Sequence, residues 1–189
     1  MYLFFDTETT GLPKNWKAPV TDLNNWPRLV QLAYLQYDEF GNKESEGDFI
    51  IKPEGFIIPP ESSKIHGITQ ERALQQGENL YDVLLHFANI ISESDILVAH
   101  NMAFDEKIMG AEFLRNNMRN IIAEKRKICT MESTVEFCDI PGQYGPKWPK
   151  LSELHYKLFH TGFDEAHNAA VDIWATAKCF WELKDRKLI

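Results

Sequence analysis

The stretch Tyr2-Leu3-Phe4-Phe5-Asp6-Thr7-Glu8-Thr9-Thr10-Gly11-Leu12 sets two carboxylates at the end of an apolar run that closes on a glycine turn. Such a run reads as a buried strand. Successive side chains of a strand alternate faces, so Asp6 and Glu8 point the same way with their oxygens close together. Like charges held that close repel unless a cation lies between them. A hard divalent ion such as Mg²⁺, which takes oxygen ligands and keeps several waters, suits the pair. The competing reading is an edge strand with solvated acids; the apolar run before the pair and the Thr9-Thr10-Gly11 turn after it weigh against that.

Outward from this strand, Pro13 to Pro27 is a polar loop, long for a connection inside a compact domain. Its Trp16 and Trp26 either pin the loop to the body or stack on bases. Leu29 to Asp38 and Gly47 to Lys52 read as strands joined through Glu39-Phe40-Gly41-Asn42 as a hairpin. Pro59-Pro60 enforces an extended lead-in, and Thr69 caps a helix starting at Gln70. Leu80, Val83, Leu84, Phe87, Ala88 and Ile91 recur at helical spacing. Asp95 to Asn101 is a short buried strand, and Phe104 opens a second helix with Ile108, Ala111 and Leu114 inward, which puts Asp105 in its first turn. The basic run Arg115, Arg119, Lys125, Arg126 and Lys127 reads as a solvated helix end. A strand over Lys125 to Thr130 follows, then an irregular Gly/Pro loop from Gln143 to Pro149. A short helix carries Leu151, Leu154 and Leu158, and a last one runs from Asn168 to about Lys184. Strands paired first as a hairpin and later alternating with helices give an α/β class, a mixed sheet covered by helices.

The 189 residues suit one domain over 1–189 with enough apolar content to close a core. No apolar run is long enough to cross a bilayer and no signal peptide is seen, so the expectation is a cytoplasmic protein with no membrane partner. Cys129, Cys138 and Cys179 form no C-x-x-C pair and read as core fillers. A formal net charge of −8 argues against broad electrostatic adhesion to nucleic acid. It leaves a nuclease open, because carboxylates that hold cations are counted in that charge.

Two further clusters are candidates for chemistry; taken alone, Asp105 reads equally as an ordinary stabiliser of a helix start, and His167 with Asp172 as a pair of exposed polar residues. In His100-Asn101-Met102-Ala103-Phe104-Asp105 a strand ends and a helix begins, so the Asp105 carboxylate hangs at the carboxyl edge of the sheet beside the positive end of the helix. In His167-Asn168-Ala169-Ala170-Val171-Asp172 the separation of five is off the i, i+4 face, so both groups reach one site only if His167 stands on the loop before the helix. Together with Asp6-x-Glu8, these segments resemble the three motifs of the DnaQ-like DEDDh exonuclease family, in order along nearly the whole chain. Within it, the chain looks like the branch of the proofreading subunit of bacterial DNA polymerase III. Ile65-His66-Gly67-Ile68-Thr69 resembles a further segment common there.

The resemblance implies an RNase H-like fold, a mixed five-stranded sheet flanked by helices, and stepwise 3′-to-5′ release of nucleoside monophosphates. It makes Asp6, Glu8, Asp105 and Asp172 the ligands of two Mg²⁺ ions, with Mn²⁺ as substitute, and His167 the general base. It assigns Thr9, Leu12, His66, Asn101 and Phe104 to the substrate, Leu12 as a wedge against the terminal base. The expected partner is a single-stranded nucleic acid 3′ end, DNA before RNA. A DNA polymerase partner stays open, and no tail of the kind that binds one is seen after the last helix. Competing readings are a 3′-5′ exoribonuclease, a binding module of the same fold without turnover, and a hydrolase of small nucleotides resting on the carboxylates alone.

Overall fold

The computed structural model describes residues 1–163 and 168–189. The N-terminal strand β1 (Tyr2–Thr9) lies at the centre of a mixed five-stranded sheet. It pairs antiparallel with β2 (Leu29–Tyr37) and parallel with β4 (Ile96–Ala99). With β3 (Lys43–Ile50) and β5 (Arg126–Cys129) at the edges, the order is β3-β2-β1-β4-β5, the α/β, RNase H-like sheet that the motifs imply. The helices are α1 (Pro60–His66), α2 (Gln70–Gln76), α3 (Leu80–Glu93), α4 (Met102–Arg115), the single turns α5 (Thr130–Ser133) and α6 (Val135–Cys138), α7 (Leu151–Phe159) and α8 (Ala169–Asp185). A small ribbon of β6 (Pro141–Gly142) and β7 (Gly145–Pro146) precedes α7. Among the described residues no helix is long and apolar enough to cross a membrane.

The alternation of β1 sorts the molecule into two layers. Leu3 and Phe5 pack with Leu84, Phe87, Ile108 and Phe113 of α3 and α4 on one face. Phe4 packs with Ile173, Ala177 and Phe180 of α8 on the other. Burial of each such side chain is worth roughly 1.5 to 3 kcal/mol, so β1, apolar on both faces, is the part of the sheet most firmly fixed. The same alternation sends Asp6 and Glu8 toward the α8 side and Thr7 and Thr9 toward the α3/α4 side.

Two elements differ from the sequence expectation. β3 begins at Lys43 instead of Gly47, because an edge strand needs only backbone partners and its charged residues face water. Helix α1 forms where an extended lead-in was read. Pro60 occupies the first turn, where its missing N–H costs nothing, and Gly67 at φ 73° ends the helix. The other expected helices and strands are present with ends shifted by a few residues, and Thr69 accepts from Arg72 N as the cap of α2.

The loop from Pro13 to Pro27 is folded onto α4. Asn25 Oδ1 accepts from Asn15 N at 2.7 Å, and Trp26, 3% exposed, donates its indole N–H to Pro19 O at 3.0 Å. Trp26 is therefore a pin. A Cβ at Gly110 would come within 2.9 Å of Val20 Cγ2, so the glycine lets the loop lie directly on the helix.

Beneath the loop, the fully buried Glu112 accepts from Arg28 Nε at 2.8 Å, Arg115 Nη1 at 2.9 Å and Leu29 N at 3.1 Å. Arg115 Nη2 also donates to Leu23 O and Trp26 O, each at 2.6 Å. This corrects the reading of the basic run as a solvated helix end at Arg115, which is a strut. Lys127 pairs with Glu106 and Lys125 binds Ser94 O, partners distant in sequence, whereas Arg119 forms an exposed pair with nearby Glu124.

Removing one partner of a buried ion network leaves the others uncompensated. Glu112→Ala should therefore cost roughly 3 kcal/mol in urea unfolding and open the 13–27 loop to limited proteolysis. An unchanged midpoint together with an uncleaved loop would show that the network does not hold it.

Candidate active site

Asp6 and Glu8 stand near the carboxyl end of β1, facing the first turn of α8, which carries Asp172. Carboxylate oxygens of Asp6, Glu8 and Asp172 all lie within 4.8 Å of one another. Two devices seat α8 against the sheet at this point. Asn168 caps the helix, accepting from Ala170 N at 3.1 Å. Gln31, on β2 and in register with Glu8, accepts from Ala169 N at 3.3 Å while its amide nitrogen donates to Asp48 at 2.7 Å.

Asp105 approaches from the opposite layer. Asn101 takes a left-handed conformation (φ 78°, ψ 47°) that turns the chain from β4 into α4, and this lays Asp105 in the first helical turn. Its Oδ1 accepts from Thr7 N at 3.0 Å and Thr7 Oγ1 at 2.7 Å. The β1–β4 ladder ends at Phe4, so Asp105 completes the bonding of β1 beyond it. His167 lies outside the described residues.

Electrostatically the site is crowded. Burial, followed by repulsion from Asp105, Asp172 and Glu8, holds the Asp6 carboxyl well above the usual carboxylate range. Burial and then Asp172 and Asp105 push Glu8 up to about 8. Burial raises Asp105 to about 7 against the two hydrogen bonds from Thr7. Oxygen-only donors that favour a proton this strongly are also arranged to favour a hard divalent cation, so the residues present fit such an ion. Asp6, Glu8 and Asp172 would hold it, and Asp105 is the fourth carboxylate of the site.

Two cavities flank the carboxylates. One, of about 380 Å³, is lined by Asp6, Glu8, Asp105 and Asp172 together with Asn101 and Phe104. The second, of about 200 Å³, is lined by Thr9, Leu12, Ile65, His66 and Phe104. Thr7, Glu8 and Phe104 belong to both, so all the residues the sequence assigned to substrate line two adjoining cavities. Leu12 is 73% exposed at the rim of the second. His66 is buried; its Nδ1 accepts from Ile68 N at 3.1 Å, which leaves the proton on Nε2. Trp16, the other loop tryptophan, rests against Phe104 with ring centroids 5.7 Å apart.

The sequence reading missed the far wall of the first cavity, which is Trp148, Pro149 and Lys150. The available signal was an aromatic flanked by cations, Lys147-Trp148-Pro149-Lys150, inside a loop read only as irregular. His100, a motif residue with no role assigned, fastens that wall. Its Nε2 donates to Pro149 O at 3.0 Å, so Nδ1 accepts from Thr130 Oγ1 at 3.0 Å. Burial lowers its pKa to about 4, which keeps the ring neutral in this role.

A mixed five-stranded sheet with acidic residues gathered where the central strand meets the first turns of two helices is an RNase H-like arrangement. The family model described as Exonuclease matches residues 3–180, and the chain belongs to that family. It falls in the DnaQ-like 3′-5′ exonuclease class that its motifs resemble. It is similar to the PolC-type DNA polymerase III of Lactococcus lactis, 30% identical over 177 residues, which cover 94% of this chain and 10% of that protein. It is likewise similar to that of Listeria innocua, 32% identical over 194 residues, covering 98% and 11%. The chain thus spans about a tenth of the length of these relatives. Among solved structures, E. coli Exonuclease I in complex with a dT13 oligonucleotide superposes with a TM-score of 0.79 at 21% identity, over 98% of this chain and 41% of that one.

The raised carboxyls make a signed prediction for the metal-free protein. Groups whose folded pKa lies above the unfolded value bind protons more tightly when folded, so their contribution is full below about pH 4 and is lost as pH rises toward about 8. In chelator, the melting temperature should fall by roughly 5 °C or more between about pH 5.5 and about pH 8.5. Mn²⁺ should restore more of it at the higher pH, and Asp6→Asn should flatten the slope. A melting temperature in chelator that does not fall with pH would remove the case for a strained carboxylate site.

Proposed function

We propose that the chain is a metal-dependent 3′-5′ exonuclease that releases nucleoside monophosphates from single-stranded or frayed DNA ends. The observation that carries this is the trio of carboxylate oxygens within 4.8 Å, set at the meeting point of two cavities in an exonuclease-family fold. The preference for DNA draws support from the oligonucleotide complex of the structural neighbour. Asp6, Glu8, Asp105 and Asp172 are assigned to two divalent ions, Mg²⁺ or Mn²⁺. When bound, such ions acidify a water and neutralise the charge that develops on the departing 3′ oxygen.

The remaining work falls to the chain. The second cavity receives the terminal nucleoside, with Leu12 against its base and the backbone near Thr9 at its sugar. His66 packs at the wall of that cavity, and Asn101 and Phe104 close the cleft. His167, before the first turn of α8, accepts the proton of the attacking water, a task for a group that titrates near neutrality. Thr7 fixes Asp105, and Gln31 seats the turn that carries Asp172, so both acids are ordered before substrate arrives.

Asp6→Ala and Asp172→Ala should each abolish hydrolysis of a 5′-labelled oligonucleotide while keeping the fold by circular dichroism. Wild-type turnover in either variant at saturating Mn²⁺ would refute the ligand assignment. His167→Ala should lower turnover by roughly 10² to 10⁴-fold and flatten the acid limb of its pH profile. An unaltered limb assigns the proton to another group.

Polarity gives a further expectation. A free 3′-hydroxyl should be required and a 3′-phosphate should block the reaction, because an added dianion beside Glu8 is repelled. Internal cuts in circular single strands, or shortening from the 5′ end, would make the chain an endonuclease or a nuclease of opposite polarity.

A further inference from the structure

The far wall of the catalytic cavity holds a feature that folding does not account for. Trp148 is 63% exposed, and its ring faces the same space as the four carboxylates. A large indole left in water contributes little to the core, yet the backbone that carries it is tied down on both sides. Lys147 N donates to Ile140 O at 2.9 Å, and Lys147 Nζ pairs with Glu153 at 2.7 Å. On the other side Pro149 is rigid by its own ring, and its carbonyl accepts from His100 Nε2 at 3.0 Å. Ordering a segment this way has an entropic cost that an exposed ring does not repay within the fold.

Position specifies what the ring can meet. Trp148 lines the cavity of the carboxylates and not that of Leu12 and His66; the two share Thr7, Glu8 and Phe104. A phosphodiester at the carboxylates has one nucleoside on each side. With the terminal one beside Leu12, the preceding one falls on the Trp148 side. An exonuclease must accept every base in turn, and an aromatic face does so because each base has a π-face and no hydrogen-bond pattern is read. Lys150, on the same wall, places a cation beside the backbone of that nucleotide.

We propose that Trp148 is a strand-binding residue on which the base of the penultimate nucleotide stacks. This rests on the reading of the cleft as a 3′-end nuclease site. The test compares an oligothymidylate with the p-nitrophenyl ester of thymidine 5′-monophosphate, which has no penultimate base, both with Mn²⁺. Trp148→Ala should raise KM for the oligonucleotide roughly tenfold to a hundredfold, and the loss in kcat/KM should exceed that on the ester by a similar factor. Trp148→Phe should recover most of it. An abasic penultimate residue should weaken the wild type to the same degree and add nothing further in Trp148→Ala.

Equal losses on both substrates, no loss on the oligonucleotide, or additive effects of the variant and the abasic residue would each overturn the assignment. If the wild type hydrolyses neither substrate, the nuclease reading fails by itself. Binding of fluorescein-labelled oligothymidylate in Ca²⁺, measured by anisotropy for wild type and Trp148→Ala, then decides the role of Trp148, with equal affinities counting against it.

Discussion

Four carboxylates brought into one partly dry cleft repel each other, and much of the architecture serves to keep them there. β1 is the element least able to yield, because Leu3 and Phe5 are buried in one layer and Phe4 in the other. It therefore holds Asp6 and Glu8 against forces that would bend an edge strand. Asp105 is fixed to β1 by two hydrogen bonds from Thr7, so the helix that delivers it cannot drift without breaking the strand's own bonding. Asp172 is delivered by a helix whose first N–H groups are taken by Asn168 and Gln31. Gln31 presents its oxygen there because Asp48 claims its amide nitrogen, and that choice of amide face is itself an electrostatic constraint.

The consequence is a crowded set of carboxyls whose oxygen-only donors fit a divalent cation. Raised carboxyls at Asp6, Glu8 and Asp105 mark places where the folded chain would rather hold a positive charge than remain as it is. The stabilising contacts lie elsewhere, in the two-layer core and in the Glu112 network under the loop. That separation is the usual relation between a functional site and the scaffold around it.

How much of this could be read beforehand depends on the range of the interactions. β1 was legible as an apolar run buried on both faces and α3 by its period of about three and a half, and the carboxylate motifs fell at the ends of strands and the starts of helices. α1 was not, because Pro59-Pro60 signals extension locally while a proline in the first helical turn is also tolerated. The Glu112 network was invisible because Arg28 and Glu112 are 84 positions apart and nothing in either segment announces the other. Trp148 was hidden for a related reason: the loop that carries it has no period, and its place beside the carboxylates depends on the bond from His100 to Pro149. The four carboxylates and the wall of Leu12 and His66 were thus legible, and the wall of Trp148 was not.

Net charge bears on how such a site could hold a strand. At −8, the chain has little long-range attraction for a polyanion, and without cations the cleft itself repels phosphate. In the proposed reaction, affinity must come from close range: the metal ions at the scissile phosphate, and rings around the bases. Rings line the cavity of the carboxylates, Phe104, backed by Trp16, and Trp148. Stacking is sequence-tolerant and falls off within contact distance, so it holds a base in place without attracting the strand from afar. The long 13–27 loop lies beside the same cleft: Trp16 rests against Phe104, while Arg115 and Glu112 of α4 tie down the end of the loop at Leu23, Trp26 and Arg28.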